Sequence, residues 1–211
     1  MEVMPIRLIL VTPPRFDLGG FGALLKTALT AGDVAAVILD LSTVEAEHWR
    51  RAGAALGYSV QTAGAAFLVR DHIEMVPDVA CDGAHMTGGV TALDAAMRAL
   101  KPGFIVGAGD ATTRHTAMAL GERAPDYVFL GRLDAEDDVP ASPTLVEWWT
   151  DLFELPCVAL AAGDWNSAAD IVAGGADFLA LRDLVWNHPD GPAAAVQRAQ
   201  ALIDERSEAV S

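Results

Sequence analysis

Residues 157–181 read CVALAAGDWNSAADIVAGGADFLAL, and this stretch decides the fold. Cys157–Leu160 and Phe178–Leu181 are short runs that are apolar throughout. Between them, Asn166–Ala173 has helical spacing and ends at Gly174-Gly175. A strand buried on both faces carries no alternation of polar and apolar residues, and parallel strands are buried on both faces because their crossover helices cover them.

The same unit recurs outward from this stretch. Further apolar runs lie at Leu8–Thr12, Ala35–Leu39, Ala65–Val69, Gly83–Met86, Phe104–Gly107 and Tyr127–Leu130. The spacing predicts helices over Phe21–Ala31, with Gly32 as stop, and from a cap at Thr43 to about Leu56, with Gly57 after it. It predicts others over Thr91–Leu100, Thr112–Arg123, Ser142 through Phe153, and Pro192–Arg206. The third unit is short: Asp71 to Asp82 leaves room for a two-turn helix, with Pro77 inside it. Strand then helix, eight times, predicts a small single-domain (β/α)8 TIM barrel over residues 1–206, followed by a frayed tail at 207–211. An open doubly wound sheet is the alternative.

Composition narrows the function. Fourteen Lys and Arg against 29 Asp and Glu leave a net charge of −15, which argues against nucleic acid or an anionic membrane surface as partner. No stretch approaches the length of a membrane span, and the apolar run at Ile6–Val11 is too short for a signal segment, so the expected location is cytoplasmic. Cys81 and Cys157 read as reduced packing residues. The lysines, Lys26 and Lys101, sit in a helix and at a helix end, away from the face where a barrel does chemistry, which removes Schiff-base catalysis. No nucleophile elbow, Walker lysine or zinc-ligand spacing is present.

In a barrel of this kind the C-terminal strand ends carry the site. Asp40, Asp71, Asp110, Asp164 and Asp183 fall there together with Arg70, Arg132 and Arg182, and His85 lies within the fourth run. Carboxylates at a rim can hold Mg2+, and arginines can grip phosphate bidentately. The same charges can instead pair with one another as Arg–Asp bridges, and a lone His in a buried strand is commonly a packing residue.

Ordered landmarks then point to a family. They are Leu10-Val11-Thr12, Leu68-Val69-Arg70-Asp71, Asp82-Gly83-Ala84-His85-Met86, Asp126 through Gly131, Pro156 through Leu160, and Gly174-Gly175-Ala176-Asp177. Over about residues 7–188 the chain resembles the thiamine-phosphate synthases, whose superfamily includes the TenI-type thiazole tautomerases. The resemblance implies a transferase that joins hydroxymethylpyrimidine diphosphate to thiazole phosphate with Mg2+, Asp71 serving as metal ligand. It also implies phosphorylated thiamine precursors as partners and binding roles for Asp40, Arg70, His85, Gly109, Arg132, Gly163, Arg182 and Asp183.

The functional positions depart from the family pattern. Its Gln-x-Arg-x-Lys after the second strand falls on Ile38, Asp40 and Ser42, and its second metal aspartate falls near Val90. Its serine after the fifth strand falls at Gly109, and the tautomerase histidine at Ala111. Its Thr-x-Thr-Lys loop becomes the acidic run Asp134–Asp138, read here as solvated charge. The phosphate glycines become Ala161-Ala162, leaving Gly163, and the last phosphate-loop serine becomes Asp183, beside Arg182. The alternative reading is therefore a catalytically inactive or repurposed member that binds a thiamine-related phosphate or a protein partner. The Trp148-Trp149 pair, one ring facing the core and one outward, offers a contact for a homo-oligomer.

Overall fold

The computed structural model describes residues 5–40 and 46–210. Eight parallel strands close in sequence order: β1 (Arg7–Val11), β2 (Val34–Leu39), β3 (Ala66–Arg70), β4 (Gly83–Met86), β5 (Ile105–Ala111), β6 (Tyr127–Leu130), β7 (Cys157–Leu160) and β8 (Phe178–Leu181). Leu8 of β1 stands beside Leu179 of β8, which closes the barrel and overturns the open-sheet alternative. The helices are α1 (Leu18–Leu29), α2 (Ala46–Thr62), α3 (Gly89–Leu100), α4 (Arg114–Gly121), α5 (Pro143–Leu152), α6 (Trp165–Gly174), α7 (Asp183–Trp186) and α8 (Pro192–Val210). None is long and apolar enough to cross a membrane.

Two apolar layers hold the barrel. An outer layer packs strands against helices through residues such as Leu25, Trp49 and Trp149. An inner layer fills the barrel with Ile9, Ile38, Leu68, Phe129, Val158 and Leu160, so the interior is packed rather than hollow. Cys81 and Cys157 are free and buried, and burial pushes both thiols up to about 12.

Several boundaries differ from the sequence reading, each for a physical reason. α2 runs through Gly57 to Thr62 instead of ending near Leu56. A Cβ at Gly57 would meet Phe67 Cδ1 at 3.2 Å, so this glycine allows close helix–strand packing instead of stopping the helix. The cap expected at Thr43 lies outside the described residues. The third unit holds a single 3₁₀ turn, Ile73–Met75, because the chain before Pro77 is too short for more. β5 extends to Ala111, so Gly109 and Asp110 lie in a strand and not in the loop after it. α8 continues to Val210, and the Ser207 hydroxyl donates to the Ile203 carbonyl within the segment expected to fray.

Candidate functional site

The site is built where β2, β3 and β8 end. Thr12, after β1, fixes Asp40 in place: its hydroxyl accepts the Asp40 N–H at 2.9 Å and donates to the Asp40 carbonyl at 3.2 Å. The Asp40 carboxylate is fully buried. Its Oδ2 accepts from Arg70 Nη1 at 2.9 Å and from Arg182 Nη1 at 3.1 Å. Arg182 is itself buried, and its Nε and Nη2 hold the two oxygens of Asp138. Arg70 Nη2 donates to the Leu133 carbonyl at 3.0 Å. Two arginines and two carboxylates thus form one chain across the mouth. The Arg–Asp bridging that the sequence left open is the arrangement found for Arg70 and Arg182.

The loop after β6 is part of this closure. Arg132 and Val139 exchange backbone hydrogen bonds of 2.8 and 2.9 Å, pinching the loop at its base. Within it the Asp134 N–H donates to Asp138 Oδ1 at 2.9 Å, and the Asp134 carboxylate takes the N–H groups of Glu136 and Asp137. Leu133 is buried among the inner-barrel residues. The acidic run is therefore not solvated throughout: Asp138 faces inward, toward Arg182. Burial raises the Asp138 carboxyl above its usual range despite the guanidinium beside it.

Asp71 follows β3 in a left-handed conformation, φ 61°, which Asp tolerates better than most residues. Both its oxygens are engaged by Thr87, through the backbone N–H at 2.6 Å and the hydroxyl. Arg70 Nε lies 3.6 Å from it. Among the described residues no group of three His, Cys, Asp or Glu side chains could hold a metal ion. A single carboxylate already bonded to Thr87 and flanked by a guanidinium does not fit a resident magnesium.

Asp110 faces the same charges from β5. Desolvation lifts its carboxyl to about 6, partly offset by Arg70 and by the Leu133 N–H, which donates to it at 3.2 Å. His85 on β4 is fully buried, and burial then the Arg70 charge lower it to about 3, so the ring is neutral at physiological pH. Its Nδ1 pairs with the Tyr127 hydroxyl at 3.1 Å, while Nε2 is buried without a partner. Gly107 and Gly109 make room for these rings: a Cβ would sit 2.0 Å from Tyr127 Cζ at the first and 2.6 Å from His85 Nε2 at the second.

The remaining expected residues are spread around the rim. Arg132 is exposed at the base of the loop. Gly163, Asp164 and Asp183 line a recess of about 520 Å³ together with Trp165, Asn187 and His188. Asp164 is the cap of α6, accepting from the N–H groups of Asn166 and Ser167 at 2.9 and 3.0 Å. The structure therefore brings Asp40, Arg70 and Arg182 together and leaves Gly163 and Asp183 in the recess beside them. Trp149 is buried, and Trp148 is half-buried under the Arg114 guanidinium.

The model of the family described as thiamine monophosphate synthase matches residues 8–185. The chain belongs to the thiamine monophosphate synthase family. It is 40% identical over 194 residues to the thiamine-phosphate synthase of Rhodospirillum centenum, covering 90% of this chain and 94% of that protein. It is 38% identical over 207 residues to that of Hyphomonas neptunium, covering 94% of each. The thiamine phosphate pyrophosphorylase of Pyrococcus furiosus superimposes with a TM-score of 0.80 at 19% identity, over 95% of this chain and 96% of that one.

For this member of the thiamine monophosphate synthase family, sequence reasoning missed Leu133 and Asp138. The available signal was charge balance. Three arginines near strand ends need partners if buried, and the acidic run after β6 was the nearest unassigned source.

Proposed function

We propose that the chain is a transferase of thiamine biosynthesis that joins hydroxymethylpyrimidine diphosphate to thiazole phosphate. One observation carries the reading beyond family membership: Arg70 and Arg182 converge on Asp40 at the C-terminal mouth of the barrel, within about 3 Å of one carboxylate oxygen. Two guanidiniums from different strands meet on a common buried acid, the cationic pair from which an anion site is made once Asp138 leaves Arg182. They stand in for the cations that the family pattern places after its second strand and in its β6 loop.

In the reaction the bond from the pyrimidine methylene carbon to the diphosphate oxygen breaks. Its electron pair leaves with the diphosphate, and the thiazole nitrogen lone pair forms the new C–N bond. Arg70 and Arg182 bind the leaving diphosphate, and Asp40 positions both. His85 and Tyr127 fill the barrel interior below as neutral, hydrogen-bonded rings. Gly163 and Asp183 border the recess that receives the second substrate, with Arg132 at the outer rim. The donor set around Asp71 does not fit a resident metal.

A second reading, a member that binds a phosphorylated thiamine precursor without turning it over, draws on the closed loop at the mouth. Turnover decides between them. Purified protein is given both substrates with magnesium, and thiamine phosphate is followed by fluorescence after oxidation. The transferase reading expects product well above the no-enzyme control, and loss of it in Arg70→Gln. Absence of product from protein with a folded circular dichroism spectrum leaves the binding reading, which a melting-temperature shift with either substrate then checks.

A further inference from the structure

Asp138 grips Arg182 the way a phosphoryl group would. Its two oxygens meet Nε and Nη2 of one guanidinium, the bidentate edge that arginine offers to carboxylate and phosphate alike. The remaining nitrogen, Nη1, stays on Asp40. Arg182 therefore has a fully buried partner, Asp40, on one side and a partly exposed loop residue, Asp138, on the other. The charges agree in direction: Arg70 and Arg182 stand against Asp40, Asp138 and the Asp71 carboxylate 3.6 Å from Arg70, a sum of minus one, and withdrawal of Asp138 brings the mouth from net negative to neutral.

The loop carrying Asp138 is a tied unit of its own. It is pinched at Arg132 and Val139 and tied internally by Asp134. Its contacts with the barrel include Asp138 to Arg182, the Leu133 carbonyl to Arg70, the Leu133 N–H to Asp110, and the Leu133 side chain in the inner layer. Asp183, next to Arg182 in the chain, borders the open recess, so Arg182 lies beside space that a ligand can enter.

We propose that Asp138 is an internal anion that occupies the phosphoryl-binding edge of Arg182 in the free protein, and that a diphosphate group displaces it and lifts the 133–139 loop from the mouth. The ligand class rests on the transferase reading above; the latch itself rests on the ion-pair geometry. Its consequence is an apparent affinity reduced by the fraction of molecules in which Asp138 is released. Removing the latch increases that fraction without touching Arg182.

The test uses inorganic diphosphate as the probe and titration calorimetry on the full chain. Asp138→Asn is expected to bind it about tenfold more tightly than the wild type. The gain is expected to vanish in the double variant Asp138→Asn with Arg182→Gln. Equal or weaker binding by Asp138→Asn, a gain that survives loss of Arg182, or no binding by either protein overturns the latch. A second readout needs no variant: saturating diphosphate is expected to speed amide hydrogen exchange at residues 133–139 of the wild type, and unchanged or slower exchange overturns it. The two proposals fail separately. Tighter binding by Asp138→Asn without thiamine phosphate formation keeps the latch and removes the activity. Turnover by a wild type whose 133–139 exchange does not respond keeps the activity and removes the latch.

Discussion

Where β2, β3 and β8 end, two guanidiniums and two carboxylates are locked together and almost shut off from water. A few residues away, where α6 and α7 begin, Asp164 and Asp183 stand at the edge of an open recess. Both regions are acidic in sequence, yet they behave oppositely. On the sealed side each carboxylate is paid for by an arginine. On the open side Asp164 is satisfied by backbone N–H groups of a helix start, and Asp183 by solvent. Acidic residues alone therefore do not decide whether a rim is open; the number of arginines within reach does.

The sealed side is expected to be the sensitive one. Asp40→Ala leaves two guanidiniums buried without their common partner, and we expect a loss of about 3–5 kcal/mol by urea denaturation. A loss below about 1 kcal/mol, the size of an exposed pair, would mean that both arginines reach water and that the contrast between the sides is false.

Asp110 sharpens the comparison through pH. Its folded carboxyl titrates near 6, against 3.8 when unfolded. Between those values the folded state binds more protons than the unfolded one, so its contribution favours the fold at low pH and is lost as pH rises through about 6. Asp110→Asn keeps a neutral side chain throughout. Its stability relative to wild type is expected to improve by about 1–2 kcal/mol between pH 4.5 and pH 8. Thermal melts at the two pH values check this, and a constant difference would place Asp110 in water.

The open side should respond least. Asp164→Ala removes one helix cap and is expected to cost about 1 kcal/mol, with the same effect at low and high salt. A cost as large as that of Asp40→Ala would show that the recess is held by the same charge network after all.

These differences explain what could be read from the chain. β4, β6, β7 and β8 sit where their apolar runs are, because a strand buried on both faces leaves an unbroken signature. β5 was read short because Gly109 and Asp110, after the run ending at Gly107, look like a loop. The strand carries glycine at 107 and 109 because the interior needs space for Tyr127 and His85, residues 20 and 24 positions away. The glycine after Leu56 was read as a stop for a similar reason: its neighbour, Phe67, is on another element. At the site, Asp40, Arg70 and Arg182 were legible as charges at strand ends. That they share one oxygen, and that Asp138 reaches back from a loop to join them, depends on distances that no local pattern encodes.

The shared oxygen of Asp40 also constrains any attempt to rewrite the mouth. Arginine at position 40 alone would place a third guanidinium against Arg70 and Arg182 in a dry site, with no carboxylate left between them. Positions 40, 70 and 182 therefore form a single unit of design: a charge changed at one of them has to be balanced at the other two.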